Sequence, residues 1–114
     1  VAWLAAGYEQ TCAVLANGAV RCWGTGSYGR LGYGNTNAIG KNPGDFPSGA
    51  GDVPVGGEVV RISTGNSHTC ALLATGTVRC WGLNNVGQLG YGSTANVGDT
   101  PANIPADAGD VQVW

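Results

Sequence analysis

Apolar residues alternate with polar or small residues in short runs along the chain, and glycine, asparagine, aspartate or proline separates these runs. In the second half of the chain the alternation predicts four strands, at residues 58–64, 69–73, 77–81 and 110–114. Apolar residues are nowhere spaced by three and four over ten or more positions, so no helix is expected. The pattern therefore predicts an all-β protein.

A tight hairpin is expected between the second and the third of these strands. Residues 74–76, Ala-Thr-Gly, form a three-residue loop with glycine at the position that requires a positive φ. Residues 16–18, Ala-Asn-Gly, stand at the same place in the first half of the chain. Both halves thus carry the same predicted hairpin.

The chain is an internal repeat with a period of 58 residues. Residues 1–56 align without a gap on residues 59–114, and 27 of these 56 pairs are identical. The longest shared block is TCAVLANGAVRCWG at residues 11–24 against TCALLATGTVRCWG at residues 69–82. We therefore divide the chain into repeat one, residues 1–58, and repeat two, residues 59–114. Four strands in a period of this length are typical of a propeller blade.

Repeat two resembles the repeat of the regulator of chromosome condensation family. The resemblance rests on GNSHTCALL at residues 65–73, CWGLN at residues 80–84 and GQLG at residues 87–90. Repeat one departs from this pattern with Gln10, Gly26 and Arg30 in place of His68, Asn84 and Gln88. The resemblance implies a β-propeller, usually of seven four-stranded blades, whose members mostly bind other proteins. The expected fold is two four-stranded antiparallel propeller blades that form part of a larger propeller or a head-to-tail array.

Two blades alone leave apolar faces uncovered. In the second hairpin the alternation points Cys70, Leu72 and Val78 to one face, and Ala71 and Leu73 to the other. A propeller blade packs on both faces, so each outer face is expected to need a companion. The chain is two residues short of two full periods, so its ends are expected to join in register. The companions would be other copies of the chain, in a ring or a filament, or further repeats.

Four residues are candidates for contacts with such companions or with a protein ligand. Trp3 and Trp114 do not recur in the other repeat and stand near the chain ends. Aromatic side chains are enriched at interfaces, although each tryptophan could instead fill space in an edge blade. Phe46 and Ile104 belong to the long segments 35–57 and 93–108, which are expected to project from one rim as loops.

The four cysteines occur at the same two positions in each repeat. The hairpin register places Cys12 opposite Cys22 and Cys70 opposite Cys80, at a Cα separation of about 4.5 Å that a disulfide accepts. We expect two disulfides, which favour an extracellular or cell-surface location. The alternatives are buried reduced thiols, or a zinc ion held by His68 with one cysteine pair, although repeat one lacks this histidine.

Composition excludes several classes of function. The chain has 21 glycines, a net charge of −2 and only five Lys and Arg residues, which are spread along the chain, so no nucleic-acid surface is expected. No apolar run is long enough to span a membrane. The letters GTGSYG at residues 24–29 match a dinucleotide-binding fingerprint, but no helix start follows them, so no cofactor is expected.

The sequence therefore favours a binding protein over an enzyme. The single histidine is absent from the other repeat, so the pattern does not indicate a nucleophile with its base, and neither a catalytic residue nor a metal ligand is assigned. The favoured function is a non-enzymatic protein-binding or self-assembly module completed by other copies or by neighbouring repeats. The alternatives are a secreted inhibitor or adhesin that uses its rim loops and, more weakly, a guanine-nucleotide exchange factor.

Overall fold

The computed structural model describes residues 1–113, which form two small antiparallel sheets joined by long connections. Residues 27–29 form a 3₁₀ turn between the third strand and the first connection. The other elements, in chain order, are β1 (Trp3–Ala6), β2 (Gln10–Val14), β3 (Val20–Gly24), α1 (Pro47–Ala50), β4 (Val59–Thr64), β5 (His68–Leu73), β6 (Val78–Gly82) and α2 (Pro105–Ala108).

Each repeat supplies one sheet, in which the strands follow chain order. The orders are β1-β2-β3 and β4-β5-β6, with every neighbouring pair antiparallel. The predicted hairpin loops are confirmed: Gly18 and Gly76 have φ values of 84° and 90°, and Leu73 N–H donates to Thr77 O across the loop. Three of the four strands predicted in repeat two are thus present within one residue of their predicted bounds.

The structure has three strands in each sheet where the sequence predicts four. The described part of the predicted fourth strand, residues 110–113, is irregular and is linked to β6 by the hydrogen bond from Val111 N to Val78 O. The matching segment of repeat one makes the bond from Val53 N to Val20 O, and Pro54 follows without an N–H to continue the ladder. Trp114, the end of the predicted strand, lies outside the described residues.

The expectation of no helix is wrong for two single turns, α1 and α2. Each begins with a proline whose φ is already helical, after an extended residue, Phe46 or Ile104. Each ends at a glycine with positive φ, Gly51 at 76° or Gly109 at 74°. Four residues are too few to produce a helical apolar period, which is why the pattern does not reveal them.

The two sheets pack side by side around one continuous apolar core. The indole of Trp3 on β1 donates from Nε1 to Ile62 O on β4, 3.1 Å away, so the first strands of the two sheets are neighbours. The core is built from residues of both repeats: Cys12, Val14, Val20, Cys22, Leu31, Val53, Val55, Val59, Ile62, Ala71, Leu73, Cys80, Trp81, Leu89 and Val97. One repeat therefore completes the core of the other.

Candidate protein-interaction surfaces

The junction between the repeats is held by buried polar contacts as well as apolar packing. Arg30, after the 3₁₀ turn, is almost fully buried and donates from Nη1 to Asn66 O in repeat two, 3.1 Å away. The carbonyl oxygen of Arg30 accepts the Thr69 hydroxyl at 2.9 Å. That hydroxyl also accepts a 3.1 Å hydrogen bond from Nε2 of the buried Gln10. Two departures from the family pattern, at positions 10 and 30, thus supply buried side-chain hydrogen bonds at the junction.

A glycine-rich segment of repeat one, residues 29–34, closes the junction by letting the two backbones approach. A Cβ on Gly29 would overlap the backbone of Asp99, and one on Gly32 would come within 2.7 Å of Trp81 Nε1. Gly34 N–H donates to Gly98 O at 2.9 Å, and Gly34 also lies against Ile104. These glycines have positive φ and no side chain, which are the two properties that such close contact requires.

The side of a repeat that faces the preceding repeat is its leading flank, and the opposite side is its trailing flank. In repeat two the leading flank is covered by repeat one and includes Ile62 and Trp81, both buried. In repeat one the same positions are Leu4, which is 61 % exposed, and the half-buried Trp23. A groove of about 420 Å³ opens there, lined by Glu9, Trp23, Gly24, Thr25, Ala38, Ile39, Gly40 and Lys41.

The trailing flank shows the opposite asymmetry. Val14 of repeat one is 1 % exposed, whereas Leu72 at the same position of repeat two is 36 % exposed. A second groove of about 340 Å³ runs past Leu72, beside the end of the junction, and is lined by Trp3, Arg61, Ile62, Ser63, Cys70, Ala71, Leu72 and Val78. Gly87 and Gly92 are the counterparts of two buried junction glycines. Among residues 1–113, no atom lies within 4 Å of where their Cβ atoms would be. Apolar surface is therefore open on both flanks of the pair.

The cysteine pairs face each other across the two hairpins, in the register that the sequence predicts. The two sulfur atoms of Cys12 and Cys22 lie 2.11 Å apart, and those of Cys70 and Cys80 lie 2.10 Å apart. This geometry is compatible with the predicted disulfides. The first pair is fully buried, whereas Cys70 is half-buried at the trailing groove.

The four candidate interface residues take different places. Trp3 lies at the junction inside the chain, where the Arg61 guanidinium sits 4.8 Å from the centre of its ring. Ile104 also lies at this junction, against Gly34. Phe46, the counterpart of Ile104, is exposed. Trp114 lies outside the described residues, and its predicted role stays a prediction.

A further set of exposed side chains lies at the same end of both sheets. In the first sheet β1 and β3 end there and β2 begins, and in the second sheet β4 and β6 end there and β5 begins. Tyr8 is 76 % exposed in the turn before β2, and Val86 is 79 % exposed after β6. Tyr28 is exposed as well, and its φ of 64° is unusual for a side chain of this size. We call Tyr8, Tyr28 and Val86 the rim surface. Sequence reasoning missed it, although Tyr8 and Tyr28 are aromatic residues within turns.

Two tyrosines fix the irregular segment after each short helix. Tyr33 donates its hydroxyl to Gly51 O and accepts a hydrogen bond from Cys22 N; Tyr91 does the same with Gly109 and Cys80. Burial raises the pKa of both hydroxyls, and the hydrogen bond from the cysteine amide opposes the shift. Both tyrosines are therefore structural groups held in their protonated form.

Residues 1–113 contain no cluster of three or more His, Cys, Asp or Glu side chains placed to hold a metal ion. Over the same described range, the structure has no helix with the length and apolar character needed to cross a membrane.

Solved structures share this arrangement of sheets. A crystal structure of Prp20p from Saccharomyces cerevisiae matches 90 % of the chain with a TM-score of 0.63 at 15 % identity, and the match spans 24 % of that protein chain. Human WBSCR16 matches 82 % of the chain with a TM-score of 0.61 at 23 % identity, over 23 % of its own chain. The fold and its two open flanks define a β-propeller repeat protein.

The sequence assigns the repeat itself. Two sequence models of the regulator of chromosome condensation (RCC1) repeat match the chain, one at residues 17–72 and the other at residues 59–88. The chain belongs to the RCC1 repeat family, as the resemblance of residues 65–90 predicts.

Curated relatives carry the same repeat within much longer proteins. Human E3 ubiquitin-protein ligase HERC2 is 38 % identical over 82 residues, which are 72 % of this chain and 2 % of that protein. The ultraviolet-B receptor UVR8 of Arabidopsis thaliana is 36 % identical over 93 residues, which are 77 % of this chain and 19 % of the receptor. The chain thus spans less than a fifth of each of these relatives.

Proposed function

We propose that this chain is a non-enzymatic protein-binding module of the propeller type, whose open flanks are covered by further repeats of the same kind. Those repeats come from other copies of the chain or from neighbouring repeats. The observation that carries the proposal is the contrast between Leu4 and Ile62, which occupy the same position in the two repeats. Ile62 is buried because repeat one lies against it, whereas Leu4 is exposed. Burial of such open apolar surface stabilises by about 25 cal/mol per Å².

The protein ligand binds, in this proposal, at the rim surface of Tyr8, Tyr28 and Val86. Tyr8 and its counterpart Asn66 are both exposed, and so are Tyr28 and its counterpart Val86. A neighbouring repeat therefore leaves these positions accessible. Tyrosine presents a large, stiff contact area at a small cost in side-chain entropy and is enriched among residues that dominate binding energy. The left-handed backbone of Tyr28 costs about 1 kcal/mol or more, which a purely structural turn would avoid with glycine or asparagine.

Related structures support a protein ligand. Yeast RCC1 (Prp20) has been crystallised bound to Kap60, and it matches 82 % of this chain with a TM-score of 0.58 at 25 % identity, over 20 % of its own chain. Prp20p from Saccharomyces cerevisiae has binding properties to Gsp1p and histones. For this chain we propose a protein ligand, without a nucleic-acid ligand or cofactor, because only five basic residues are present and they are spread along the chain.

Two alternatives from the sequence remain separable from this proposal. A secreted inhibitor or adhesin would use the same exposed turns, and the predicted disulfides favour an extracellular or cell-surface location. A guanine-nucleotide exchange factor would accelerate the release of labelled nucleotide from a small GTPase, and we expect no acceleration. An enzyme is not proposed, because no catalytic residue is assigned in the chain.

The rim surface is tested by affinity capture with the immobilised 114-residue chain. We expect a protein that is retained by the wild type and lost from the Tyr8→Ser, Tyr28→Ser double variant. Thr75→Ala is the control, because Thr75 is exposed in the hairpin loop at the opposite end of the sheet. Retention by the double variant, or equal loss from the control, would contradict the assignment of the rim surface.

A further inference from the structure

We infer that the open trailing flank of one copy of this chain docks on the open leading flank of a second copy and reproduces the junction between the repeats. This inference rests on the proposed propeller module and deepens it by naming the occupant of the flanks. The occupant is a second copy because the chain itself contains both complementary surfaces. One contact between them already exists inside the chain.

The apolar positions on the flanks fit this arrangement. Ile62 is 4 % exposed because repeat one lies against it, while Leu4, at the same position in repeat one, is 61 % exposed. On the other side Val14 is buried and Leu72 is open. Docking of the trailing flank on the leading flank of a second copy thus buries Leu72 and Leu4. Their counterparts Val14 and Ile62 are already buried at the junction inside the chain.

The backbone of the trailing segment keeps the shape that docking needs. Gly87, Gly90 and Gly92 have φ values of 77°, 83° and 74°, close to the values of 76°, 86° and 79° at Gly29, Gly32 and Gly34. In repeat one these glycines are buried against repeat two, whereas in repeat two all three are exposed. The segment 87–92 therefore holds the conformation of a junction segment, and no other repeat in the described part of the chain covers it.

The leading flank offers the matching recess. Inside the chain, Gly29 lies against the backbone of Gly98 and Asp99, and the equivalent residues of repeat one are Gly40 and Lys41. Gly40 and Lys41 line the open groove beside Trp23. Because the junction uses backbone atoms at these positions, the change from Asp99 to Lys41 leaves the recess able to accept Gly87.

The outer edge of the flank gives an independent contact. Ile104 lies 3.1 Å from the position of a Cβ on Gly34 at the junction inside the chain. Its counterpart Phe46 is exposed, and Gly92, the counterpart of Gly34, is open. A second copy that docks by the same rotation brings Phe46 onto Gly92. The exposed phenylalanine thereby gains the contact that Ile104 already has.

Such docking is head-to-tail, so each copy offers one flank of each kind. Repetition of the contact closes into a ring only if the rotation per repeat divides a full turn into an even number of repeats, because each chain contributes two. Otherwise the same contact extends into an open array. Both products have the same flank contact, so a variant that blocks one flank affects either of them.

The experiment uses two variants that each block one flank, measured by sedimentation or light scattering. Leu4→Glu places a charge on the leading flank, and Leu72→Glu places one on the trailing flank. We expect the wild type to associate and each variant alone to remain at the chain mass of 11.5 kDa. An equimolar mixture is expected to form a complex of twice that mass, because each variant keeps the flank that its partner needs. Formation of this complex also shows that both variants are folded.

Thr75→Glu is the matched control. Thr75 and its counterpart Asn17 are both exposed in the hairpin loops, so the position lies outside the flanks, and this variant should associate like the wild type. A wild-type chain that stays at 11.5 kDa at all concentrations would overturn the inference, as would association of either flank variant alone. The capture experiment on the rim surface does not depend on self-association, so failure here leaves the proposed binding surface testable separately.

Discussion

The hydroxyl of Thr69 donates a 2.9 Å hydrogen bond to the carbonyl oxygen of Arg30, which belongs to the other repeat. The same hydroxyl accepts a hydrogen bond from the side chain of Gln10, and all three residues are buried. This one side chain therefore satisfies two polar groups that the junction between the repeats removes from water. The stability of the two packed repeats depends on hydrogen bonds to such buried polar groups.

Thr69→Val tests this dependence. Valine keeps the shape of threonine and removes the hydroxyl, so Arg30 O and Gln10 Nε2 each lose a hydrogen-bond partner at Thr69. We expect the free energy of unfolding, measured with urea, to fall by about 2 kcal/mol. Thr11→Val, at the half-buried counterpart of Thr69 on the open leading flank of repeat one, is the control. It should cost less when both substitutions are measured in the Leu72→Glu chain, which we expect to be monomeric. Equal losses would mean that the junction contacts contribute little.

Gly29→Ala and Gly87→Ala separate backbone strain from close packing. Both glycines have φ near 77°, so alanine pays the same conformational cost of about 1–2 kcal/mol at either position. Only the Cβ at position 29 meets the backbone of repeat two, at Asp99. We expect thermal unfolding to show a much larger loss for Gly29→Ala. For Gly87→Ala we expect a small loss of stability together with weakened self-association, and equal destabilisation would argue against the close junction.

The two cysteine pairs should differ in their reactivity. Intact mass without reductant is expected to be lower by two hydrogen atoms for each disulfide. Under limiting dithiol reductant in native buffer, alkylation of the monomeric Leu4→Glu chain, whose trailing groove stays open, should label Cys70 and Cys80 before Cys12 and Cys22. The reason is that Cys70 borders an open groove, whereas the first pair has no exposed surface. Four free thiols in the untreated chain would refute the disulfides, and simultaneous labelling would refute the difference in access.

Stability should decline at alkaline pH through Tyr33 and Tyr91. Burial raises the pKa of both hydroxyls in the folded state, so the unfolded chain loses these protons at lower pH than the folded chain does. The free energy of unfolding is therefore expected to fall as the pH rises above about 10, the ordinary pKa of tyrosine. The Tyr33→Phe, Tyr91→Phe double variant should show a flatter decline, and Thr75→Ala, which removes no ionisable group, should not. An unchanged slope in the double variant would contradict this account.

The elements that depend on local pattern could be predicted from the sequence. The strands around the two hairpins, the three-residue loops and the facing of Cys70 with Cys80 all follow from alternation and from the position of Gly76. The repeat places the same elements in both halves. These features depend on residues that are neighbours in the chain or on adjacent strands, so periodicity and turn chemistry are sufficient to predict them.

The features that depend on the neighbouring repeat could not be predicted in the same way. The failure of Trp3 to recur predicts a contact with another copy, and this role stays a prediction. The contact of Trp3 with Ile62 inside the chain is not visible in the sequence pattern. Among the described residues, the predicted fourth strand is represented in each repeat by one backbone hydrogen bond to the sheet, from Val53 or from Val111. Alternation shows only that two faces of a strand are apolar. It does not show which face is covered, or whether an outer segment completes its ladder.

The central claim, that a preceding repeat covers the leading flank of the next, is tested most directly by amide hydrogen exchange at Gly24 and Gly82. The measurement uses the Leu72→Glu chain, which we expect to be monomeric. Each amide follows a tryptophan and donates to the same kind of bridge, Gly24 N to Ile39 O at 2.8 Å and Gly82 N to Val97 O at 2.7 Å, so their intrinsic exchange rates match. Only the second bridge is covered by a preceding repeat. We expect the Gly82 amide to exchange at least about tenfold more slowly, and equal rates would contradict the claim that a preceding repeat protects the leading flank.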